Sequence, residues 1–130
     1  MIKLRHATPA DLDFVYATWL RSYRHASSFA RKISNTIYYH WHHRIIENAF
    51  ARGATIKIAA LDDAPAVIIG YLVVEGSTAH YVYVKGDFRK MGVAKALLEG
   101  HNITQFTHLT DHTEHVLGLV PGAEYNPYLL

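Results

Sequence analysis

The chain has 130 residues, half of them hydrophobic, so we expect residues 1–130 to form a single domain with a buried core. It contains no cysteine, which excludes disulfides, thiolate metal ligands and cysteine nucleophiles and fits a reducing compartment. The formal net charge is only +2 and the tight basic clusters of a nucleic-acid binder are missing, so we expect no nucleic-acid partner.

Charge and hydropathy also bear on location. The N-terminal stretch carries charged residues where a signal peptide would need an apolar core. No apolar run approaches membrane-spanning length. We therefore expect a cytoplasmic protein without a membrane partner.

The first half of the chain predicts a short strand and two helices. Ile2–His6 favours a strand, and Thr8 followed by Pro9 is a good helix start. Apolar residues then recur at helical spacing, at Leu12, Val15, Tyr16, Trp19, Leu20 and Tyr23. Residues 25–32 are typical of a polar connection. A second helix is capped by Ser34 and ends at Arg52 and Gly53. Its predicted apolar face consists of Ile37, Tyr38, Trp41, Ile45 and Ala49.

The middle of the chain predicts three consecutive antiparallel strands. Residues 54–61 and 66–75 are β-prone and flank a turn at residues 62–65. A second turn at Gly76 and Ser77 leads into a strand at residues 79–85. Further on, the pattern indicates a strand at 105–109 and a short helix at 111–117. The tail at 123–130 can begin as a strand, which Pro127 either confines to a sheet edge or ends.

Residues 81–98 combine a strand, a loop and a helix in one short segment. The helix that begins after the loop is predicted to end near Gly100 and His101. Gly92 and Ala94 stand at the helix start, where small side chains let a ligand approach the backbone closely. Unpaired N–H groups at such a position favour an anion, above all a phosphate.

The sequence VYVKGDFRKMGVAKALL resembles the acyl-CoA-binding segment of the GNAT (GCN5-related N-acetyltransferase) superfamily. The family pattern [Gln/Arg]-x-x-Gly-x-[Gly/Ala] is matched by Arg89, Gly92 and Ala94. The resemblance implies an α/β fold of the GNAT acyl-CoA N-acyltransferase type, with a mixed, mostly antiparallel central sheet flanked by helices. It also implies acetyl-CoA or another acyl-CoA as cofactor, and a small-molecule or protein amine as acceptor.

The same resemblance assigns the cofactor site. Pantetheine would pair with the backbone of Val82, Tyr83 and Val84, where neighbouring strands of the family splay apart. The pyrophosphate would lie on the loop formed by Arg89, Lys90, Met91, Gly92, Val93, Ala94 and Lys95. Tyr23, Tyr38 and Trp41 are the candidates for the acceptor site, because the region after the first strand forms one of its walls in the family.

Acyl transfer to an amine needs a group that takes up the amine proton and a donor for the oxyanion. His80 is the first candidate base and Glu75 the second, while an ordinary strand histidine is the alternative for His80. Family members carry a longer fourth helix whose tyrosine protonates the departing thiolate, and residues 113–117 hold no tyrosine. Tyr125 or Tyr128 would serve as the acid if the tail folds back.

Two histidine groups invite a metal-site hypothesis. The first is His40, His42 and His43; the second is His108, His112 and His115 with Asp111 and Glu114. Neither spacing matches a zinc signature, so we expect exposed or packing histidines and no metal.

The sequence leaves a second function open. A non-catalytic or inhibitory binding protein on the same fold would use the aromatic surface at residues 38–41 to contact a macromolecule. The shortened C-terminal half favours this alternative, as in the small acetyltransferase-like proteins of phage genomes that the chain resembles. A tail that packs on a second subunit would instead produce a homodimer.

Overall fold

The computed structural model describes residues 2–130, which form a six-stranded sheet in the order β1-β2-β3-β4-β5-β6. The strands are β1 (Ile2–His6), β2 (Thr55–Leu61), β3 (Ala64–Glu75), β4 (Thr78–Val84), β5 (Gln105–Phe106) and β6 (Glu124–Tyr125). The pairs from β1 to β4 are antiparallel, whereas β4–β5 and β5–β6 are parallel. The predicted meander and the mixed, mostly antiparallel sheet are therefore confirmed.

The helices are α1 (Leu12–Ala26), α2 (Ser28–Arg31), α3 (Asn35–Ala51), α4 (Val93–Leu98) and α5 (Thr113–Leu117). Short 3₁₀ helices span Pro9–Asp11, Gly86–Phe88 and Pro127–Leu129. No helix in the described part of the chain is long and apolar enough to cross a membrane.

Side chains alternate between the two faces of the sheet and build a core on each. Ile58, Tyr71 and Val73 face α1 and α3 and pack around Trp19. Ile69 and Leu72 face the other way and pack against α4. The fold is thus three layers, with helices on both sides of one sheet.

The connection predicted at residues 25–32 is wrong in part, because Ser28–Arg31 is helical and Ala30 is fully buried. The Ser27 hydroxyl caps this short helix by accepting from the Ala30 N–H. Other boundaries differ by a few residues: the first turn is Asp62 and Asp63 alone, α4 already ends at Leu98, and β5 is only two residues long.

The predicted apolar face of α3 is wrong in part, because only Tyr38 and Ala49 of its five residues are buried. The buried residues are Tyr38, His42, Ile46 and Ala49, while Ile37 and Trp41 are exposed. Two polar contacts hold this rotation of the helix. The Tyr38 hydroxyl donates to the Leu20 carbonyl at 2.6 Å, and the His42 and His108 Nε2 atoms lie 2.9 Å apart. The observed rotation makes these two buried contacts and leaves the side chains of Ile37 and Trp41 exposed.

Candidate acyl-CoA cleft

β4 and β5 separate after only two paired positions. Thr78 faces Gln105 and Ala79 faces Phe106, and the chain then turns away. The gap opens into a cleft of about 1080 Å³, which is lined by β4 from Ala79 to Val84. The shift in register between β3 and β4 places His80 opposite no residue, so a β-bulge marks the point where the cleft begins.

The backbone of β4 is open toward the cleft. The Lys85 N–H donates to the Ile69 carbonyl on β3 at 2.8 Å. Because successive residues of a strand direct their backbone groups to opposite sides, Val84 and Val82 direct theirs away from β3, into the gap. Val82, Tyr83 and Val84, predicted to bind pantetheine, all line the cleft. That these three residues bind pantetheine stays a prediction.

The loop after β4 forms one end of the same cleft. Lys90 (φ +66°) and Gly92 (φ +80°) both adopt the left-handed conformation, which is rare for a lysine. A β-carbon built on Gly92 would meet no atom within 4 Å, so the space in front of the loop is open. Among the predicted loop residues, Met91 alone is absent from the cleft wall, since its half-exposed side chain faces solvent.

Three cations and a run of backbone N–H groups meet at this loop. Arg89, Lys90 and Lys95 line the cleft. The first N–H groups of α4 have no carbonyl partner within the helix. The Arg89 Nε donates to the Val84 carbonyl at 3.4 Å, which ties the loop to the end of β4. The arrangement suits an anionic group such as a pyrophosphate.

Comparison with solved structures identifies the fold. The chain is similar to apo YjaB from Escherichia coli, with a TM-score of 0.53 and 17% identity over 93% of this chain and 67% of that one. It is also similar to a GNAT superfamily phosphinothricin acetyltransferase from Sinorhizobium meliloti in complex with AcCoA (TM-score 0.51, 19% identity, 75% of this chain and 55% of that one). A third match is AAC(6')-Iy in complex with the bisubstrate analogue CoA-S-monomethyl-acetylneamine (TM-score 0.53, 17% identity, 97% of this chain and 93% of that one).

The chain has the GNAT fold. It spans just over half the length of the phosphinothricin acetyltransferase. No protein-family model matches the sequence, and no curated protein matches it.

Within this GNAT fold the two candidate bases, His80 and Glu75, contact each other. The His80 Nε2 lies 2.7 Å from the Glu75 Oε1, and its Nδ1 lies 2.9 Å from the Thr107 Oγ1. His80 is 1% exposed, and both ring nitrogens have partners. Glu75 also accepts two hydrogen bonds from Arg52, which with His80 lower the pKa of its carboxyl. Glu75 is not part of the cleft wall.

A second pair of histidines continues from Thr107. Its Oγ1 lies 2.9 Å from the His108 Nδ1, and the His108 Nε2 lies 2.9 Å from the His42 Nε2. Burial lowers the pKa of His42 to about 4 and that of His108 well below its usual range. The sequence placed these histidines in two different candidate metal sets. Within the described residues no group of three or more potential ligands is arranged to hold a metal ion.

The predicted acceptor-site residues do not reach the cleft wall. Tyr23 and Tyr38 are buried, and both rings stack with the His42 ring, at 5.0 and 5.2 Å. Trp41 is 56% exposed on the outer face of α3. The cleft wall on this side is instead built from the end of α1, from α2 and from the segment after β5, by Ser22, His25, Ala26, Arg31, Asp111 and His112.

The tail forms an edge strand, as the sequence predicted. β6 pairs with β5, and the Tyr125 ring packs against Phe106 at 5.5 Å. Neither candidate acid lines the cleft, because Tyr125 is 44% exposed at the sheet edge and Tyr128 is 93% exposed. The tail therefore completes the sheet but leaves the hydroxyls of Tyr125 and Tyr128 outside the cleft.

Proposed function

We propose that the protein is an acyl-CoA-dependent N-acyltransferase that transfers an acetyl group from acetyl-CoA to an amine. The observation that carries this proposal is the separation of β4 from β5 directly beside the glycine loop. It puts the open backbone edge of Val82 and Val84 and the cationic loop into one cleft. Two neighbours of the same fold contain AcCoA or a CoA bisubstrate analogue.

The residues present fit such a cofactor. The backbone groups of Val82 and Val84 offer donors and acceptors to the amides of pantetheine. The N–H groups of residues 90–95 and the charges of Arg89 and Lys90 suit the pyrophosphate. When bound, the thioester supplies an activated acetyl group, and a backbone N–H of residues 82–84 would polarise its carbonyl.

The acceptor would bind at the opposite side of the cleft, against the wall that α1–α2 and the segment after β5 form together. The Asp111 N–H donates to the Ala26 carbonyl at 3.0 Å, and the Asp111 carboxylate lies 3.6 Å from the Arg31 guanidinium. This wall offers a carboxylate and a neighbouring Thr110 to an amine, and we propose a small-molecule or protein amine as acceptor. A protein without cysteine that uses acyl-CoA fits the reducing cytoplasm.

Calorimetry with acetyl-CoA and CoA tests the cofactor site. Gly92→Trp should abolish binding, because the new side chain fills the open space in front of the loop. Gly53→Trp is the matched control, since Gly53 also has a positive φ (+105°) with no atom near its β-carbon position, but it ends α3 away from the cleft. Unchanged CoA affinity in a folded Gly92→Trp protein would refute the assignment of the loop.

Turnover can be tested with an amine panel of n-propylamine, spermidine, neamine and triglycine. Because the chain has no cysteine, a thiol-reactive chromophore reports only the CoA thiol that the reaction releases. Amine-dependent thiol release, with the acetylated amine detected by mass spectrometry, would support the transferase. Binding of acetyl-CoA without release for any amine would favour the alternative below.

The alternative is a non-catalytic binding protein on the GNAT fold. It is favoured by the position of Tyr125 and Tyr128 outside the cleft and by the exposed apolar side chains of Ile37 and Trp41 on α3. Such a surface is typical of a contact site for a macromolecule. If it acts in this way, Trp41→Ala should abolish partner binding and leave CoA affinity unchanged.

A further inference from the structure

Two pairs of hydroxyl groups join helix α1 to the sheet, one turn of the helix apart. The Thr18 Oγ1 lies 2.8 Å from the Tyr71 hydroxyl on β3, and the Ser22 Oγ lies 2.6 Å from the Tyr81 hydroxyl on β4. Both tyrosines are buried. Because the two pairs have the same chemistry, their surroundings decide what each pair can do.

The Thr18–Tyr71 pair is satisfied by the backbone of α1. Thr18 donates to the Phe14 carbonyl at 2.7 Å, and Tyr71 donates to the Val15 carbonyl at 3.2 Å. Both hydroxyl protons therefore have acceptors. Neither Thr18 nor Tyr71 lines the cleft, so this pair holds the helix on the sheet and has no access to a ligand.

The Ser22–Tyr81 pair has one proton more than its own contact uses. Two hydroxyls carry two protons, and only one of them can lie between the two oxygens. No other described residue hydrogen-bonds to either hydroxyl. Tyr81 is only 8% exposed, and both residues line the cleft. The pair can therefore donate one proton to a molecule in the cleft and accept another from it.

The Tyr81 hydroxyl lies close to the place where β4 leaves β5. Ala79 is the last residue of β4 that pairs with β5, and Tyr81 follows two residues later. Its ring faces α1 and stacks with Trp19 at 5.3 Å, while its hydroxyl reaches Ser22 one turn further along the helix. The pair thus spans the cleft from the proposed pantetheine strand to the proposed acceptor wall.

The charge state of Tyr81 suits a group that donates a proton. Burial raises the pKa of its hydroxyl, which therefore stays protonated, and the charge of Arg89 acts in the opposite sense. Arg89 belongs to the loop that we propose binds the pyrophosphate. The hydroxyl is therefore within electrostatic reach of the cofactor loop, whereas Tyr125 and Tyr128 lie outside the cleft.

We propose that Ser22 and Tyr81 are catalytic residues, which together carry the proton of the acceptor amine to the sulfur of the departing CoA. The proposal rests on the proposed function for its two reactants. Ser22 serves the amine because it lies on the α1 wall, and Tyr81 serves the sulfur because it lies on β4. One hydroxyl pair then replaces a separate base and acid.

The proton transfer leaves both hydroxyls neutral. The amine nitrogen bonds to the thioester carbon, which gives a tetrahedral adduct with an ammonium and an oxyanion. The Ser22 oxygen takes a proton from this ammonium, the Ser22 proton moves to the Tyr81 oxygen, and the Tyr81 proton moves to sulfur. The C–S bond breaks with its electron pair on sulfur, and the carbonyl re-forms. The products are the amide and the CoA thiol.

Substitutions in the two hydroxyl pairs test this role with whichever amine of the panel is turned over. For Tyr81→Phe we expect kcat to fall roughly 100-fold. Ser22→Ala should cause a smaller fall, because a water molecule can replace the serine hydroxyl, and Ser22→Thr should retain kcat. Tyr71→Phe is the matched control, since it also removes a buried hydroxyl between α1 and the sheet, but outside the cleft. It should lower stability and leave kcat unchanged.

Unchanged kcat in a folded Tyr81→Phe protein would overturn the proposal. If that variant does not fold, Ser22→Ala decides, because Ser22 is only half-buried. Unchanged kcat for Ser22→Ala would then overturn the transfer through both hydroxyls. No turnover by the unmutated protein would instead refute the proposed function, and with it the source of the proton.

Calorimetry with CoA and with desulfo-CoA, which lacks the sulfur, tests the contact without turnover. Tyr81→Phe should weaken CoA binding by roughly two- to five-fold, the loss of one hydrogen bond, and leave the affinity for desulfo-CoA unchanged. Equal changes for the two ligands would show that Tyr81 only shapes the cleft, and would overturn its contact with sulfur. This comparison holds even for a protein that acetylates none of the amines.

Discussion

Gly70 on β3 packs so closely against Val93 at the start of α4 that there is no room for a side chain at position 70. A β-carbon on Gly70 would lie 3.0 Å from the Val93 Cγ1 and 2.6 Å from the Tyr83 carbonyl oxygen. The missing side chain therefore lets the helix of the candidate pyrophosphate loop rest directly on the sheet. The backbone of β4, which we propose binds pantetheine, is held at the same point.

Replacing Gly70 with alanine should lower the free energy of unfolding by about 1–3 kcal/mol, because backbone and helix must both shift. CoA affinity should fall as α4 moves. Denaturant unfolding and calorimetry measure the two effects. Gly86→Ala is the control, since a β-carbon there meets no atom within 4 Å. Equal stability of the two variants would show that α4 is not held by this contact.

The Arg5–Asp11 ion pair predicts acid-sensitive stability. Arg5 donates to both Asp11 carboxylate oxygens, at 2.7 and 3.0 Å, and the hydrogen bond lowers the pKa of Asp11 to about 2. Since the pKa of an unfolded aspartate is about 3.9, the pair stabilises the fold above that pH and its contribution is lost as the pH falls toward 2. Partial exposure of Arg5 limits the contribution to about 2 kcal/mol.

Urea unfolding of the native protein and Asp11→Asn between pH 6 and pH 2 checks this contribution. The difference in stability should shrink as the pH falls. Asp13→Asn is the matched control, because Asp13 is exposed in the first turn of α1. A difference that stays constant across this range would assign the effect to packing rather than to the carboxylate charge.

The structural features that depend on local sequence patterns could be predicted from the sequence. Alternating strands, the caps at Thr8 and Ser34 and the loop glycine each act within a few residues, and all of these elements are present. The rotation of α3 was not predictable in this way. It depends on contacts of Tyr38 with Leu20 and of His42 with His108, which join residues far apart in the chain.

The same limit applies to the candidate site. The segment 81–98 was predictable because cleft and loop lie within one strand–loop–helix unit. The hydrogen-bonded row of side chains from Glu75 to His42 was not, because its members come from β3, β4, α3 and the residues after β5. A signal was present in the sequence, since His80, Thr107 and His108 are polar residues within the strands predicted at 79–85 and 105–109. Their order in space required the fold.

The tail should contribute to stability through β6. Its Glu124 N–H donates to the Thr104 carbonyl at 3.0 Å and its Asn126 N–H to the Phe106 carbonyl at 2.8 Å. Deleting residues 124–130 exposes the edge of β5, so we expect a lower melting temperature or aggregation. Melting and oligomeric state should be measured together. A truncated monomer that melts like the full chain would contradict this role.

Lys57 links β2 to the far end of the loop helix. Its ammonium donates to the Leu97 carbonyl at 3.0 Å and to the Glu99 carbonyl at 3.4 Å, where the last carbonyls of α4 lack helical partners. A cation at a helix C-terminus stabilises the helix by about 0.3–1 kcal/mol. Because α4 has only six residues, loss of this contact should fray it up to the loop.

We therefore expect Lys57→Met, which keeps the aliphatic length, to weaken CoA binding by roughly two- to five-fold, the ratio that matches this energy. Lys57 is not part of the cleft wall, so the effect must pass through α4. Lys3→Met is the control for the loss of one positive charge, because Lys3 is exposed on β1. Calorimetry of both variants with CoA at two salt concentrations distinguishes an effect through α4 from general electrostatic attraction. If both lose affinity equally and the loss disappears at high salt, general electrostatic attraction accounts for it, and the cap has no part in binding.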